Sequence, residues 1–159
     1  MDYKIGLGFD IHRFASGRKL VLGGVEIPFH LGLDGHSDAD VILHAVCDAL
    51  LGALGAGDIG EHFPNTDERY RGVSSLTLLD TAAQRVADQG FRVGNLDITV
   101  LAEQPHLKEY KQQMRARIAS RLSIAEPQVN IKATTMESLG AIGRSEGIAA
   151  QAVVLLMQN

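Results

Sequence analysis

The chain has 159 residues, of which 45% are hydrophobic and 21% are charged, and its net charge is -4. This length and balance predict one domain over residues 1–159 with a sizeable core, and they exclude a disordered chain. The acidic charge argues against nucleic acid as a partner, and no apolar run approaches the roughly 20 residues that cross a bilayer, so we expect no membrane partner. The single cysteine, Cys47, cannot form an intrachain disulfide, which favours a cytoplasmic protein.

The N-terminal part of the chain predicts strands followed by a buried helix. Residues 3–11 and 20–27 have strand character, and the second stretch contains a Gly-Gly turn. Residues 39–55 are apolar nearly all round, which predicts a buried helix with Ser37 or Asp38 as its N-cap.

The remaining elements alternate between helix and strand. They are a long loop over 56–73, helices at 76–86 and 105–118, and strands at 96–101, 129–133 and 148–157. We therefore predict an α/β (α+β) fold, a single domain in which helices cover a mixed β-sheet.

A candidate metal site is formed by one strand and the buried helix. Asp10 and His12 are two residues apart in a strand, so their side chains project from the same face, and His44 on the helix is the natural third ligand. Three ligands with one open position are typical of catalytic zinc, although an isolated helix histidine is more often simply hydrogen-bonded. Asp40 and Asp48 lie one helical turn on either side of His44, and they are either acceptors that orient its ring or exposed charges.

Two segments have the residue types that bind phosphate. His36 and Ser37 precede the buried helix, whose first N–H groups favour an anion, but the same segment could equally be a plain cap. Thr134, Thr135 and Glu137 follow a strand, and their hydroxyls and carboxylate can bind phosphate oxygens and a hard cation such as magnesium. Threonine is also simply a good strand residue.

A dinucleotide site is not supported by the glycines near the N-terminus. Gly6 and Gly8 form a G-x-G pair, but Ile11 occupies the position of the third glycine and no helix follows. The sequence therefore excludes a Rossmann fingerprint here.

Several short segments, in order from about residue 3 to the C-terminus, resemble one known family. They are residues 8–13, 23–25, 35–41, 44–45, 48–53, 57–60, 63–67, 132–135 and 143–147. Together they closely resemble the 2-C-methyl-D-erythritol 2,4-cyclodiphosphate synthase family. So many motifs in register are far more specific than any one of them.

The resemblance implies a lyase of the non-mevalonate isoprenoid pathway. Its substrate is a cytidine diphosphate compound, 4-diphosphocytidyl-2-C-methyl-D-erythritol 2-phosphate. The 2-phosphate attacks the β-phosphorus, which forms the cyclic diphosphate and releases CMP. The resemblance also implies a homotrimer whose sheets face the trimer axis and whose active sites are shared between adjacent subunits.

Site residues follow from the same resemblance. Asp10, His12 and His44 match the zinc ligands, and Glu137 matches the carboxylate of a second ion, magnesium or manganese. His36 and Thr135 resemble the residues that position phosphates and stabilise the transition state. The implied substrate-binding residues are Asp10, His12, His36, Ser37, Asp58, Ile59, Gly60, Phe63, Asp67, Ala102, Pro105, His106, Leu107, Lys108, Thr134, Thr135, Glu137, Ala141 and Arg144.

Two departures from the family pattern concern the cytidine phosphates and the trimer axis. His106 stands where many relatives have lysine, and Ala141 stands where many have an aromatic residue.

Two other functions would use the same three metal ligands: a zinc phosphohydrolase with water as the nucleophile, and a binding module with a structural metal. No dedicated water-activating base marks the first, and structural zinc usually has four ligands with cysteine among them.

Overall fold

A long first strand supplies the frame on which the other elements pack. In the computed structural model, which describes residues 2–159, the strands are β1 (Tyr3–Ala15), β2 (Leu20–Leu22), β3 (Val25–Ile27), β4 (Gly32–Leu33), β5 (Phe91–Leu101), β6 (Val129–Thr134) and β7 (Gly147–Gln158). The helices are α1 (Val41–Leu54), α2 (Ile59–His62), α3 (Ser75–Asp88), α4 (Lys111–Leu122) and α5 (Gly140–Gly143), with short 3-10 turns at Glu68–Tyr70 and Glu126–Gln128.

The main sheet is mixed, and its strand order is β4-β1-β7-β5-β6. β7 pairs antiparallel with both β1 and β5, whereas β5 and β6 are parallel. β2 and β3 form a separate hairpin. The predicted single α/β domain with a mixed sheet and covering helices is confirmed for the described residues.

Glycines on β1 let α1 lie unusually close to the sheet. A Cβ atom on Gly6 would lie 1.8 Å from the Ala49 carbonyl oxygen, and one on Gly8 would lie 1.9 Å from that of Ala45. Only a residue without a side chain fits at either position. The G-x-G pair is therefore a packing surface for α1.

α1 begins later than the sequence predicts. Ala39 has a φ of 57°, which interrupts a helical path from Ser37 or Asp38, and the N-cap is Asp40. The Asp40 carboxylate accepts the Leu43 N–H at 3.1 Å, as N-cap side chains do. The prediction of Ser37 or Asp38 as the cap is wrong for this reason.

Two further boundaries differ from the prediction. The stretch 56–73 is not all loop, because Asp58 and Asp67 cap α2 and a 3-10 turn through the N–H groups of Glu61 and Arg69. The helix expected from 105 begins at Lys111. The preceding residues form a turn instead, in which the Tyr110 N–H donates to the Leu107 carbonyl.

One face of β1 carries exposed apolar side chains. Within the described residues 2–159, no other element covers them. The exposed fractions of Ile5, Leu7, Phe9 and Ile11 are 73, 58, 56 and 51%. Val153 of β7 pairs with Leu7 and is also exposed, so the patch continues across the sheet. We call these five residues the apolar sheet face; a patch of this kind on a folded domain marks an interaction surface.

The described helices include none with the length and apolar composition required to cross a bilayer.

We expect Gly8→Ala to lower the free energy of unfolding by about 3 kcal/mol, since the new methyl group collides with rigid backbone of α1. Gly52→Ala is the matched control. Gly52 is exposed in the same helix, and its added methyl would approach only the Leu7 carbonyl, at 3.9 Å, so the helix should gain roughly 0.5–1 kcal/mol. Denaturant unfolding of both variants tests the packing, and equal stability of Gly8→Ala and the unsubstituted chain would contradict it.

Candidate metal centre and active site

Three metal-ligating side chains meet where α1 crosses β1. Asp10 and His12 project from the same face of β1 as Gly6 and Gly8, and His44 reaches them from the first turns of α1. Their nearest ligand atoms all lie within 4.8 Å of one another. The predicted convergence of these three residues is confirmed.

Donor atoms face one another across the cluster. His12 Nε2 lies 2.8 Å from Asp10 Oδ2, His44 Nδ1 lies 3.0 Å from the same oxygen, and the two ring nitrogens are 3.2 Å apart. One carboxylate oxygen and two imidazole nitrogens suit zinc, and three ligands leave a coordination position open. The residues therefore fit the ion that the resemblance implies.

A cavity of about 200 Å³ opens onto this cluster. Its walls come from β1, from α1 and the segment before it, from α2 and the residues after it, and from the start of α3. The lining residues are Asp10, His12, Gly35, His36, Ser37, His44, Ile59, Gly60, Phe63, Asn65, Tyr70 and Leu78. Eight of these residues are predicted to bind substrate or metal: Asp10, His12, His36, Ser37, His44, Ile59, Gly60 and Phe63.

The histidine rings are held from their far sides. His12 Nδ1 donates to the Asp34 carbonyl at 2.5 Å, which leaves Nε2 facing the cluster. His44 Nε2 lies 2.9 Å from the Ser75 hydroxyl and 3.1 Å from that of Ser37, so Nδ1 faces the cluster. The two histidines therefore present different nitrogens to the same point.

The acidic and basic side chains of the cluster shift each other's pKa. Burial by itself would raise the pKa of Asp10, but hydrogen bonds and attraction from His12 and His44 lower it to about 2. Burial would lower the pKa of His12, yet the hydrogen bond and charge of Asp10, with the Asp34 carbonyl, raise it. Asp10 is therefore ionised throughout the neutral range.

Neither acidic neighbour on α1 orients the His44 ring. The Asp40 carboxylate accepts the N–H groups of Gly23 and Gly24 at 2.9 and 2.7 Å, which fastens the β2–β3 turn to α1. Asp40 is completely buried, and that burial raises its pKa to about 6 against the effect of these hydrogen bonds. Asp48 accepts the Ile59 N–H at 3.1 Å instead. Both earlier interpretations, ring orientation and simple exposed charge, are wrong because long-range backbone donors occupy the carboxylates.

The other predicted residues near α2 and the loop after it lie at the margin of the cavity. Asp58 caps α2 beside Ile59 and Gly60. The carbonyl of Asp67 accepts a hydrogen bond from His36 Nε2 at 3.0 Å, while its carboxylate binds Arg69.

A second group of predicted residues lies at the carboxyl ends of β5 and β6. The Ala102 N–H donates to the Thr134 carbonyl at 3.0 Å, and the Met136 N–H donates to the Glu103 carboxylate at 2.7 Å. Thr135 Oγ1 accepts the Glu137 N–H at 3.3 Å. These side chains lie at the same end of the sheet as the metal cluster. The end of β5 is two strand spacings from β1, about 10 Å, and the end of β6 is three spacings away, about 14 Å.

This second group does not join the metal cluster within one chain. Glu137 is exposed and is not among the three clustered ligands. Of the segment 102–108, Ala102 and Leu107 are buried, whereas His106 and Lys108 are exposed and Pro105 is half-buried. Ala141 lines a separate hollow beside His12, and Arg144 pairs with Glu146 at 2.7 Å.

Sequence reasoning missed several residues of the site. Asn65, Tyr70 and Leu78 line the cavity, and Asp34 and Ser75 hold the histidine rings. Ser75 has the pattern of a helix start, and Leu78 that of an apolar helix position. Only Asn65, inside one of the resembling segments, had a usable sequence signal.

The fold and the site together describe a small α/β protein with an aspartate–histidine cluster that could hold a metal ion. The YgbB family model matches residues 3–157, and the chain belongs to this family.

Similar proteins of known name include single and fused enzymes. The chain is 56% identical over 156 residues to a 2-C-methyl-D-erythritol 2,4-cyclodiphosphate synthase of Desulfosudis oleivorans, covering 98% of this chain and 93% of that protein. It is also 56% identical over 156 residues to a bifunctional IspD/IspF enzyme of Albidiferax ferrireducens. That match covers 98% of this chain but only 37% of the longer relative.

Solved structures agree with this assignment. The bifunctional IspDF of Campylobacter jejuni superposes with a TM-score of 0.96 at 46% identity, over 99% of this chain and 43% of that one. A CDP complex of IspF from Plasmodium falciparum gives a TM-score of 0.87 at 34% identity, over 99% of this chain and 97% of that one.

The charge balance of the cluster predicts a window of stability for the metal-free protein. The lowered pKa of Asp10 stabilises the fold above its ordinary value of 3.8, and that contribution is lost as the pH falls towards 2. The raised pKa of His12 stabilises the fold below its ordinary value of 6.5, and that contribution is lost as the pH rises through the higher folded value.

We therefore expect the cluster to stabilise chelator-treated protein most between about pH 4 and 6.5. Acidification from pH 5 to 2 should lower the free energy of unfolding of Asp10→Asn by about 2 kcal/mol less than it lowers that of the unsubstituted chain. Denaturant unfolding across this range measures it. An unchanged acid profile in Asp10→Asn would contradict the charge balance described here.

Proposed function

We infer that the chain is a cyclodiphosphate synthase of isoprenoid precursor biosynthesis. It converts 4-diphosphocytidyl-2-C-methyl-D-erythritol 2-phosphate into 2-C-methyl-D-erythritol 2,4-cyclodiphosphate and releases CMP. The observation that carries this inference is the Asp10–His12–His44 cluster beside a cavity, in a chain 56% identical to a synthase of that name. The CDP bound in a structurally similar relative supports a cytidine diphosphate substrate.

Asp10, His12 and His44 would hold zinc. Bound there, zinc polarises a phosphoryl oxygen and neutralises charge that develops on it. The protein supplies the orientation: Asp10 is anionic, and each imidazole is fixed by a hydrogen bond on its far side. An acidic chain facing a substrate with several negative charges requires such cationic help.

The remaining predicted residues divide between the two halves of the substrate. His36 and Ser37 line the metal cavity, where they would position phosphate oxygens, and Ile59 and Gly60 would face the methylerythritol hydroxyls. Asp58, Phe63 and Asp67 would complete that wall. The residues proposed for the cytidine diphosphate half are Ala102, Pro105, His106, Leu107, Lys108, Thr134, Thr135, Ala141 and Arg144, with Glu137 holding magnesium or manganese.

The position of these halves supports the homotrimer with shared sites that the family resemblance implies. The second group lies across β7 from the metal cluster, so one chain offers two incomplete half-sites. The apolar sheet face supplies a surface on which subunits can close, and it supports sheets that face a common axis. A cytoplasmic location is part of the proposal, supported by the buried free thiol of Cys47.

Incubation with the cytidine diphosphate substrate, followed by phosphorus NMR, tests the reaction. We expect a cyclic diphosphate and CMP, whereas an open-chain phosphate would indicate a hydrolase and no turnover would indicate a binding module.

His44→Ala should lower the rate by about 100-fold or more, because one metal ligand is lost. His30→Ala, an exposed histidine outside the cavity, should retain full activity.

Assembly is tested separately on the apolar sheet face. Leu7→Lys should prevent the trimer from forming, because it places a charge at the centre of that face, whereas Ala87→Lys on the exposed side of α3 should leave the trimer intact. Light scattering measures both masses.

Mixing inactive Asp10→Asn and inactive Lys108→Ala chains under subunit exchange should restore activity if sites are shared, and a stable, active monomer would refute the assembly.

A further inference from the structure

We propose that Ser75 and Asp38 form a hydrogen-bonded relay that fixes the tautomer of His44 and so presents its Nδ1 atom to the metal. Both are positioning residues, since neither reaches the cluster itself. The inference rests on the metal site of the proposed function and adds the residues that prepare one of its ligands.

The direction of the hydrogen bonds follows from the number of protons available. The Ser75 hydroxyl donates its single hydrogen to the Asp38 carboxylate, which can only accept. Ser75 Oγ can therefore only accept from His44 Nε2, 2.9 Å away. Without an ion, Nδ1 faces the Asp10 carboxylate, which can also only accept; an ion takes the place of the hydrogen on Nδ1, and the relay keeps the remaining hydrogen of the neutral ring on Nε2. Nδ1 is the atom 3.0 Å from Asp10 Oδ2.

The relay is built into the fold. Ser75 is completely buried at the start of α3. The second carboxylate oxygen of Asp38 accepts the Ser75 backbone N–H at 3.2 Å, and its first oxygen also accepts the Asp40 N–H at 3.2 Å. Asp38 is thus held by backbone on two sides and cannot easily turn away from Ser75.

Ser37 does not perform the same task, although its hydroxyl lies 3.1 Å from His44 Nε2. Ser37 Oγ accepts the Ala39 N–H and keeps its own hydrogen, so it can either donate to or accept from the ring. It is compatible with both tautomers. Ser75, whose hydrogen is already committed to Asp38, is compatible with one.

His12 provides an internal comparison. A carbonyl, that of Asp34, holds its Nδ1 hydrogen and leaves Nε2 for the cluster. A carbonyl can only accept, so that tautomer needs no relay. The hydroxyl of Ser75 accepts and donates, and it becomes a pure acceptor towards His44 only because Asp38 takes its hydrogen.

Zinc affinity of the full chain tests the relay. Zinc alone is titrated into chelator-treated protein in competition with a coloured chelator. We expect Ser75→Ala to bind zinc 10–100-fold more weakly than the unsubstituted chain, the range found for partners that orient metal ligands. Ser74→Ala is the matched control: it removes the α3 N-cap bond to Leu76, and should lower the melting temperature while zinc affinity stays unchanged.

A second variant and a spectroscopic measurement keep the test independent of folding. Asp38→Asn retains the shape of the side chain but weakens the acceptor, and it should also bind zinc several-fold more weakly. Nitrogen-15 NMR of the zinc-loaded protein at pH 8 should place the hydrogen of His44 on Nε2, and in Ser75→Ala that hydrogen should exchange faster with solvent, because one of its acceptors is lost.

The outcomes separate the relay from the metal site. No zinc binding by the unsubstituted chain would overturn the metal centre and the relay with it. Tight binding by that chain and equally tight binding by Ser75→Ala would overturn the relay alone. An unchanged affinity in Asp38→Asn would overturn the part assigned to Asp38.

Discussion

The close approach between α1 and β1 is the constraint on which the rest of the structure depends. Gly6 and Gly8 lack side chains at the two points where α1 carbonyls lie against the strand. The same approach brings His44 of the helix within 3.0 Å of Asp10 on the strand. A larger residue at either glycine would move the helix and separate the ligands, so packing and metal geometry have one physical cause.

The two faces of β1 serve different purposes. Because side chains alternate along a strand, Asp10 and His12 share the face that packs on α1, while Leu7 and Phe9 point to the opposite, exposed side. In the proposed enzyme the first face holds the metal and the second joins the subunits. Assembly would then bring the missing half-site to each metal cluster, which links oligomer formation to activity.

The half-buried Asp10 and the fully buried Asp40 are stabilised by different kinds of partner. Asp10 has two imidazoles and stays ionised with a pKa of about 2. Asp40 has only backbone N–H groups, and its burial raises its pKa to about 6. The first arrangement leaves a charge available to a cation at the cavity, whereas the second ties a hairpin turn to a helix and is structural.

The sequence by itself determined most of the main strands and helices, apart from some boundaries, and the three candidate ligands. Strand alternation places Asp10 and His12 on one face, and the polar position of His44 in an apolar helix marks it as the third ligand. Tertiary structure decided what touches these residues from far along the chain. Asp38 and Ser75 are 37 residues apart and have the ordinary pattern of helix starts, so no local period relates them. Local patterns encode which face a side chain occupies, but its partners depend on how helices pack, and that is fixed only in three dimensions.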